Sequence, residues 1–398
     1  MMAWLLLLAW GTSLLGAGAE SAFPGPVLNA IRQVRVEGDQ IENFPTQGRE
    51  LLGAFKDQMQ AWAIGRLGDP AMVSLSDTER ASGLQKDMEA ELREIGEPPP
   101  EVDPSVKDYK RFSGEVTARV VAPEGHRGLL LLEASVGFHC GEDLLVLLLF
   151  RRKDQSWGAW SAFPDVPRRV QEGSWGLKTL VGPPDREGRF ILVMGHIVPW
   201  FQSNWRELSL DSVDLHRGES DLWLEASHRT VHGIYIAREP PFDLVLEGAR
   251  GFTARFEDRS MDPGQSFHLR TMHFRLGEGD LSRLPPYGDT PADFLEEWVR
   301  LPWAVARSLV VKRLRPRMKM LWQGGNSGQA WGTFSPPATG GFSRKIPGGW
   351  QVDFEGWGPD GEGLPLSFLL QRRSNGYAIV GLTHPIPLKL QQGRRRRF

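Results

Sequence analysis

Asp143-Leu144-Leu145-Val146-Leu147-Leu148-Leu149-Phe150-Arg151 sets seven apolar residues between two charges. A helix that spans a bilayer needs ~20 apolar residues. A run this short suits a buried strand instead. Its surroundings agree. From Phe112 the chain has a period of two, with Val116, Ala118 and Val120 alternating with Glu115, Thr117 and Arg119, as a half-buried strand requires.

Further strand-like runs are 129–132, 190–194, 208–215, 222–226, 233–237, 244–247, 252–257 and 267–276. Turn formers separate them, at Pro123-Glu124-Gly125, Pro183-Pro184, Arg217-Gly218, Pro240-Pro241 and Asp262-Pro263-Gly264. Many short strands without intervening helices predict an antiparallel sandwich or barrel over 109–288. The expected class is mainly β with α+β parts.

Upstream, the pattern is helical. Leu51, Leu52, Phe55, Met59, Trp62 and Ala63 recur at three- and four-residue spacing, one face of an amphipathic helix. Gly68 and Asp69-Pro70 stop it. A second helix opens at Ser76 with Glu79 three residues on, a capping box in which each side chain satisfies the other's backbone amide. Its stripe is Leu84, Met88, Leu92 and Ile95. Region 20–96 is therefore read as helical, and the proline- and acid-rich 97–108 as a linker.

Residues 1–19 carry no charge, and Ala17-Gly18-Ala19 precedes Glu20. An apolar stretch followed by small residues fits a cleaved signal peptide. The alternative is an uncleaved anchor, because no Lys or Arg follows Met1. A single cysteine, Cys140, excludes an internal disulfide. A long exported chain without disulfides points to a bacterial periplasmic or secreted protein, with at most peripheral membrane contact.

Downstream, Thr290 caps and Pro291 begins a helix carrying Phe294, Trp298 and Leu301 on one face. Pro302 starts a second helical turn with Trp303, Ala306 and Val310. Strands are expected at 319–321, 350–354, 366–371 and 377–382, making an α+β unit over 289–388, followed by a basic tail over 389–398. The run Trp350-Gln351-Val352-Asp353-Phe354, then Phe368-Leu369-Leu370-Gln371-Arg372, then Gly376-Tyr377-Ala378-Ile379-Val380 resembles the last strands of NTF2-like (cystatin-like) domains. It covers at most about 100 residues. The resemblance implies a sheet curved around helices and transfers no activity.

No constellation in the sequence defines an enzyme. His228 and His232 lie between strand-like runs, where residues four apart sit ~13 Å from one another. A shared metal needs ligands at ~2.1 Å, so no metal and no cofactor are expected. His139 beside Cys140 would point away from it in a strand. No Gly-x-Ser-x-Gly elbow is present, and Gly324-Gly325-Asn326-Ser327-Gly328 lacks the lysine of a phosphate-binding loop. A carbohydrate-active hydrolase using paired carboxylates on the β-domain stays as the alternative reading.

Tryptophan and charge are more informative. Of 15 tryptophans, six fall within 157–223. Trp157 with Trp160, and Trp200 with Trp205, stand among turn formers and are the expected ligand-stacking residues. From Asp69 to Asp103 there are ten acids and three bases, whereas between Trp298 and Val352 there are no acids and nine bases. Arg307, Lys312, Arg313, Arg315 and Arg317 are the expected anion-binding residues. The alternative sets this basic stretch against the acidic helical region of the same chain. The leading expectation is an exported, non-catalytic protein that binds a carbohydrate or an anionic envelope polymer, or serves structurally. Export excludes nucleic acid as its partner.

Overall fold

In a computed structural model of the chain, the residues described are 22–37, 45–98, 109–111, 113–138, 141–166, 173–199, 205–218, 221–235, 242–258, 268–277, 281–326, 342–357, 363–374 and 376–382. The leader, most of the linker, the His139-Cys140 pair and the arginine tail lie outside them.

Four helices come first: α1 (Gly25–Ile31), α2 (Thr46–Leu67), α3 (Pro70–Val73) and α4 (Asp77–Ile95). Strands β1 (Arg35–Glu37) and β2 (Tyr109–Arg111) pair as a small ribbon. The Ser76–Glu79 capping box forms as the sequence predicts. Twelve strands follow in three antiparallel meanders. The first sheet holds β3 (Val116–Val121), β4 (Leu129–Phe138), β5 (Gly141–Arg151) and β6 (Trp157–Ala162). The second holds β7 (Trp175–Val181), β8 (Arg189–Pro199), β9 (Trp205–Arg217) and β10 (Leu222–Tyr235). The third holds β11 (Phe242–Leu246), β12 (Gly251–Asp258), β13 (His268–Leu276) and β14 (Leu281–Leu284). Each strand is next to its sequence neighbour, so the protein is mainly β with α+β parts.

The three sheets are stacked in chain order. On β4 and β5, Leu130, Leu132, Leu145, Leu147 and Leu149 face α1, α2 and α4 in one core. Leu129, Leu131, Val146, Leu148 and Phe150 face Phe190, Leu192 and Met194 of the second sheet in another. This is why the deciding stretch is uniformly apolar rather than alternating: helices cover one face and a sheet the other. Every residue from Leu144 to Phe150 is at most 5% exposed. The second sheet's other face, with Ile191, Val193 and Leu210, packs on Phe252, Phe256 and Phe274 of the third.

Strand edges are covered by side chains. The Val120 N–H of β3 donates to Gln85 Oε1 at 2.8 Å, and Gln85 Nε2 donates to Ala118 O at 3.4 Å. One glutamine of α4 thus takes the place of a missing neighbour strand.

The C-terminal unit sets α5 (Pro291–Arg300), α6 (Trp303–Ala306), two 3-10 turns (Arg307–Leu309 and Lys312–Leu314) and α7 (Arg315–Asn326) beside a fourth antiparallel sheet. That sheet runs β15 (Phe342–Ile346), β16 (Gly349–Trp357), β17 (Gly363–Arg373) and β18 (Gly376–Leu382). Phe294, Trp298, Met318, Leu321, Val352, Phe368 and Ile379 form its core. Thr290 caps α5 as expected, in a full box with Asp293.

Three expectations are corrected. The 319–321 stretch belongs to α7, because Met318 and Leu321 are buried one turn apart and Pro316 starts the helix. The run at 222–226 and residues 233–235 of the next run belong to one strand, β10, with a bulge between Leu224 and Ala226. Trp157-Gly158-Ala159-Trp160 lies in a strand, β6, rather than a loop. Among the described residues, no helix is long and apolar enough to cross a membrane.

Candidate functional site

The expected tryptophan platform does not assemble. Trp157 and Trp160 are three residues apart on β6, so they point to opposite faces. Trp157 is 6% exposed, in the core beneath α2 and α4, with Arg80 stacked 5.9 Å from its ring centre. Trp160 is half-buried against the second sheet. Trp200 lies outside the described residues. Trp205 opens β9 opposite Tyr235.

The basic stretch does form a surface. Ala306 and Val310 are buried in the C-terminal core, and Trp298 Nε1 donates to Ala306 O at 2.9 Å. Val310 bridges Ile379 in parallel, and Val311 N–H donates to Ile379 O at 3.1 Å. The segment therefore runs along β18 and closes that sheet edge. Arg315, half-buried, donates from Nε to Val310 O at 3.2 Å and braces the turn. With the backbone held this way, Arg307, Lys312, Arg313, Arg317 and Lys319 are all exposed. Arg313 lends one guanidinium nitrogen to Val380 O at 3.4 Å. Among the described residues, no ion pair joins any of the five to an acid. The acids of α4 pair locally instead: Asp87 with Arg66, and Asp77 with Arg80 at 2.7 Å.

Five exposed cations within residues 307–319, with no ion-paired acid among the described residues, give this segment a positive field.

A second cluster, with no counterpart in the sequence reading, lies between the first and second sheets. Ser174, just before β7, places Oγ 2.8 Å from His196 Nδ1 on β8, and His196 Nε2 is 3.1 Å from Asp211 Oδ2 on β9. Ser209 Oγ donates to Asp211 Oδ2 at 3.3 Å, and Arg229 Nε on β10 donates to Ser209 Oγ at 2.8 Å. Phe163 lies edge-on to the imidazole at 5.4 Å. Serine, histidine and aspartate thus meet in a row that runs from Ser174 across β8, β9 and β10.

Geometry argues against hydrolysis there. A nucleophilic serine must reach substrate and lie beside free oxyanion donors. Ser174 and His196 are 5% and 4% exposed. The Ser174 N–H is already spent on Glu142 O at 2.9 Å. The row is a buried hydrogen-bond ladder. No local motif could reveal it, since its members are brought together only by strand register.

The buried carboxylates are similarly occupied. Asp143 pairs with Lys56 at 2.8 Å. Burial pushes its carboxyl up from 3.8 to about 6. Glu142 is also raised, chiefly by burial, although the Ser135 hydroxyl opposes this. Glu133 accepts from Arg119 at 2.6 Å and from Thr179. Glu297 of α5 accepts from Arg283 at 2.9 Å and ties the third sheet to the C-terminal unit. Asp143, Glu133 and Glu297 thus each face a cation of the fold.

His228 and His232 lie on β10 opposite Ser212 and Leu208, and His268 and His273 lie on β13. Among the described residues, no group of three or more His, Cys, Asp or Glu side chains is placed to hold a metal ion. No protein-family model, curated protein or solved structure matches the chain.

Proposed function

We propose that this is an exported, non-catalytic binding protein that holds an anionic component of the cell envelope on its 307–319 surface. One observation carries the reading: Arg307, Lys312, Arg313, Arg317 and Lys319 are exposed on a braced backbone with no ion-paired acid among the described residues. Exposed cations left unpaired along so short a segment act together on a multivalent anion. Anionic groups on an acidic polysaccharide or a lipid headgroup meet the requirement equally well.

The test is retention on dextran-sulfate resin as a function of salt. The protein is expected to bind at 50 mM salt and to elute as screening shortens the Debye length. The triple variant Arg307→Glu/Lys312→Glu/Arg317→Glu changes only exposed side chains, so its folding should be unaffected by circular dichroism. It should pass through unretained. Retention equal to wild type would overturn the proposal.

A further inference from the structure

We infer that the partner of this surface is an anionic lipid bilayer, on which the protein lies peripherally; this rests on the anion-binding reading above. The sign of the charge alone does not choose between a polymer and a membrane. The apolar residues around it do. Met320 is 37% exposed, next to Lys319 on α7. At 100° per residue, Pro316, Lys319, Met320 and Gln323 share the outward face of that helix, while Met318 and Leu321 face the core. An exposed thioether between cations gains nothing from a hydrated polysaccharide. At a headgroup boundary it enters the acyl edge while the Lys319 and Arg317 stems lie flat and keep their charges in the phosphate layer.

Trp303 and Trp322 add to this. Their rings meet at 5.7 Å, and both are half-buried against the core of the unit. Trp322 Nε1 is fixed on Leu301 O at 2.8 Å. Amphipathic indoles settle at headgroup depth. The apolar stripe of α7 is already used by the protein core. The contact is therefore shallow adsorption, electrostatic first and apolar second, and not insertion of a helix.

Two binding arms separate this from the reading it depends on. In the first, the protein without its leader (residues 20–398) is floated with phosphatidylcholine vesicles or with vesicles containing 30% phosphatidylglycerol. In the second, it is titrated with polygalacturonate, a soluble polyanion with no apolar phase. Wild type should bind only the anionic vesicles in the first arm. The triple glutamate variant should lose that binding by more than a hundredfold, since each cation near a bilayer contributes about fivefold. Met320→Ser should weaken vesicle binding about five- to tenfold and leave polygalacturonate binding as it was. Wild type that binds polygalacturonate but not anionic vesicles overturns the membrane inference and leaves the anion site standing. So does vesicle binding that ignores Met320→Ser. A triple variant that binds both partners like wild type overturns both readings, as does wild type that binds neither.

Discussion

Replacing Lys56 by methionine tests how α2 is held on the first sheet. Lys56 Nζ sits 2.8 Å from Asp143 Oδ1 and donates to Phe163 O at 3.0 Å and Asp165 O at 3.1 Å. Three ammonium hydrogens thus meet three acceptors, in a site where the two side chains are 7% and 3% exposed. Methionine keeps the length and apolar stem, so packing changes little. What disappears is the cation that compensates Asp143 among the described residues. Breaking one side of a buried pair costs about 3–5 kcal/mol, because the remaining ion is left desolvated.

The loss should depend on pH, with a definite sign. Burial already raises the Asp143 carboxyl to about 6, with Lys56 opposing the rise. Without Lys56 it moves further up. A carboxyl whose folded pKa exceeds its unfolded value binds more protons in the fold, so stability falls as pH climbs between the two values. Above pH 6 the variant keeps losing stability, by up to about 1.4 kcal/mol per unit, while wild type levels off within about a unit. The gap between them should therefore narrow, by up to about 2 kcal/mol, from pH 7.5 to pH 6. Urea unfolding followed by tryptophan fluorescence reads it directly, since Trp62 and Trp157 belong to the same core. Lys56→Met/Asp143→Asn, which removes both charges, should recover most of the loss. A Lys56→Met loss below about 1 kcal/mol, or one equal at both pH values, would refute the argument.

Two further outcomes test local claims. Gly288 has φ of +83°, and a Cβ there would lie 2.3 Å from Phe294 N and 2.6 Å from Phe294 Cα. Gly288→Ala should therefore cost about 2–3 kcal/mol in thermal unfolding by displacing the start of α5. Ser76→Ala removes one half of the capping box on α4 and should cost about 1 kcal/mol in the same measurement.

Legibility in the sequence followed how local each determinant is. The helices at 46–67 and 77–95 and the capping boxes rest on residues three or four apart, and so could be read directly. The buried run at Leu144 was legible as a strand because seven apolar residues leave no polar face. That it would be covered by helices on one side and a second sheet on the other was not, since only the stacking order decides it. Trp157 and Trp160 were misread for the opposite reason. Glycine and serine around them resemble a turn, yet Gly158 is in the strand because a Cβ there would meet the Phe150 ring at 2.6 Å.

The same distinction separates the two clusters. The cations of 307–319 lie within one short segment free of acids, so their accumulation is visible in sequence; their exposure depends on how the segment folds. The Ser174–His196–Asp211 row has members 22 and 15 residues apart, joined by the register of β8 with β9 and by the bridge that holds Ser174 against Glu142. A leucine-only contact between stacked sheets has no directional term, whereas each hydrogen bond of this row and each carboxylate partner has one. The polar residues that most resemble catalytic ones thus lie where the stack needs orientation. The five exposed cations of 307–319, without an ion-paired acid among the described residues, have no such orienting role within the chain.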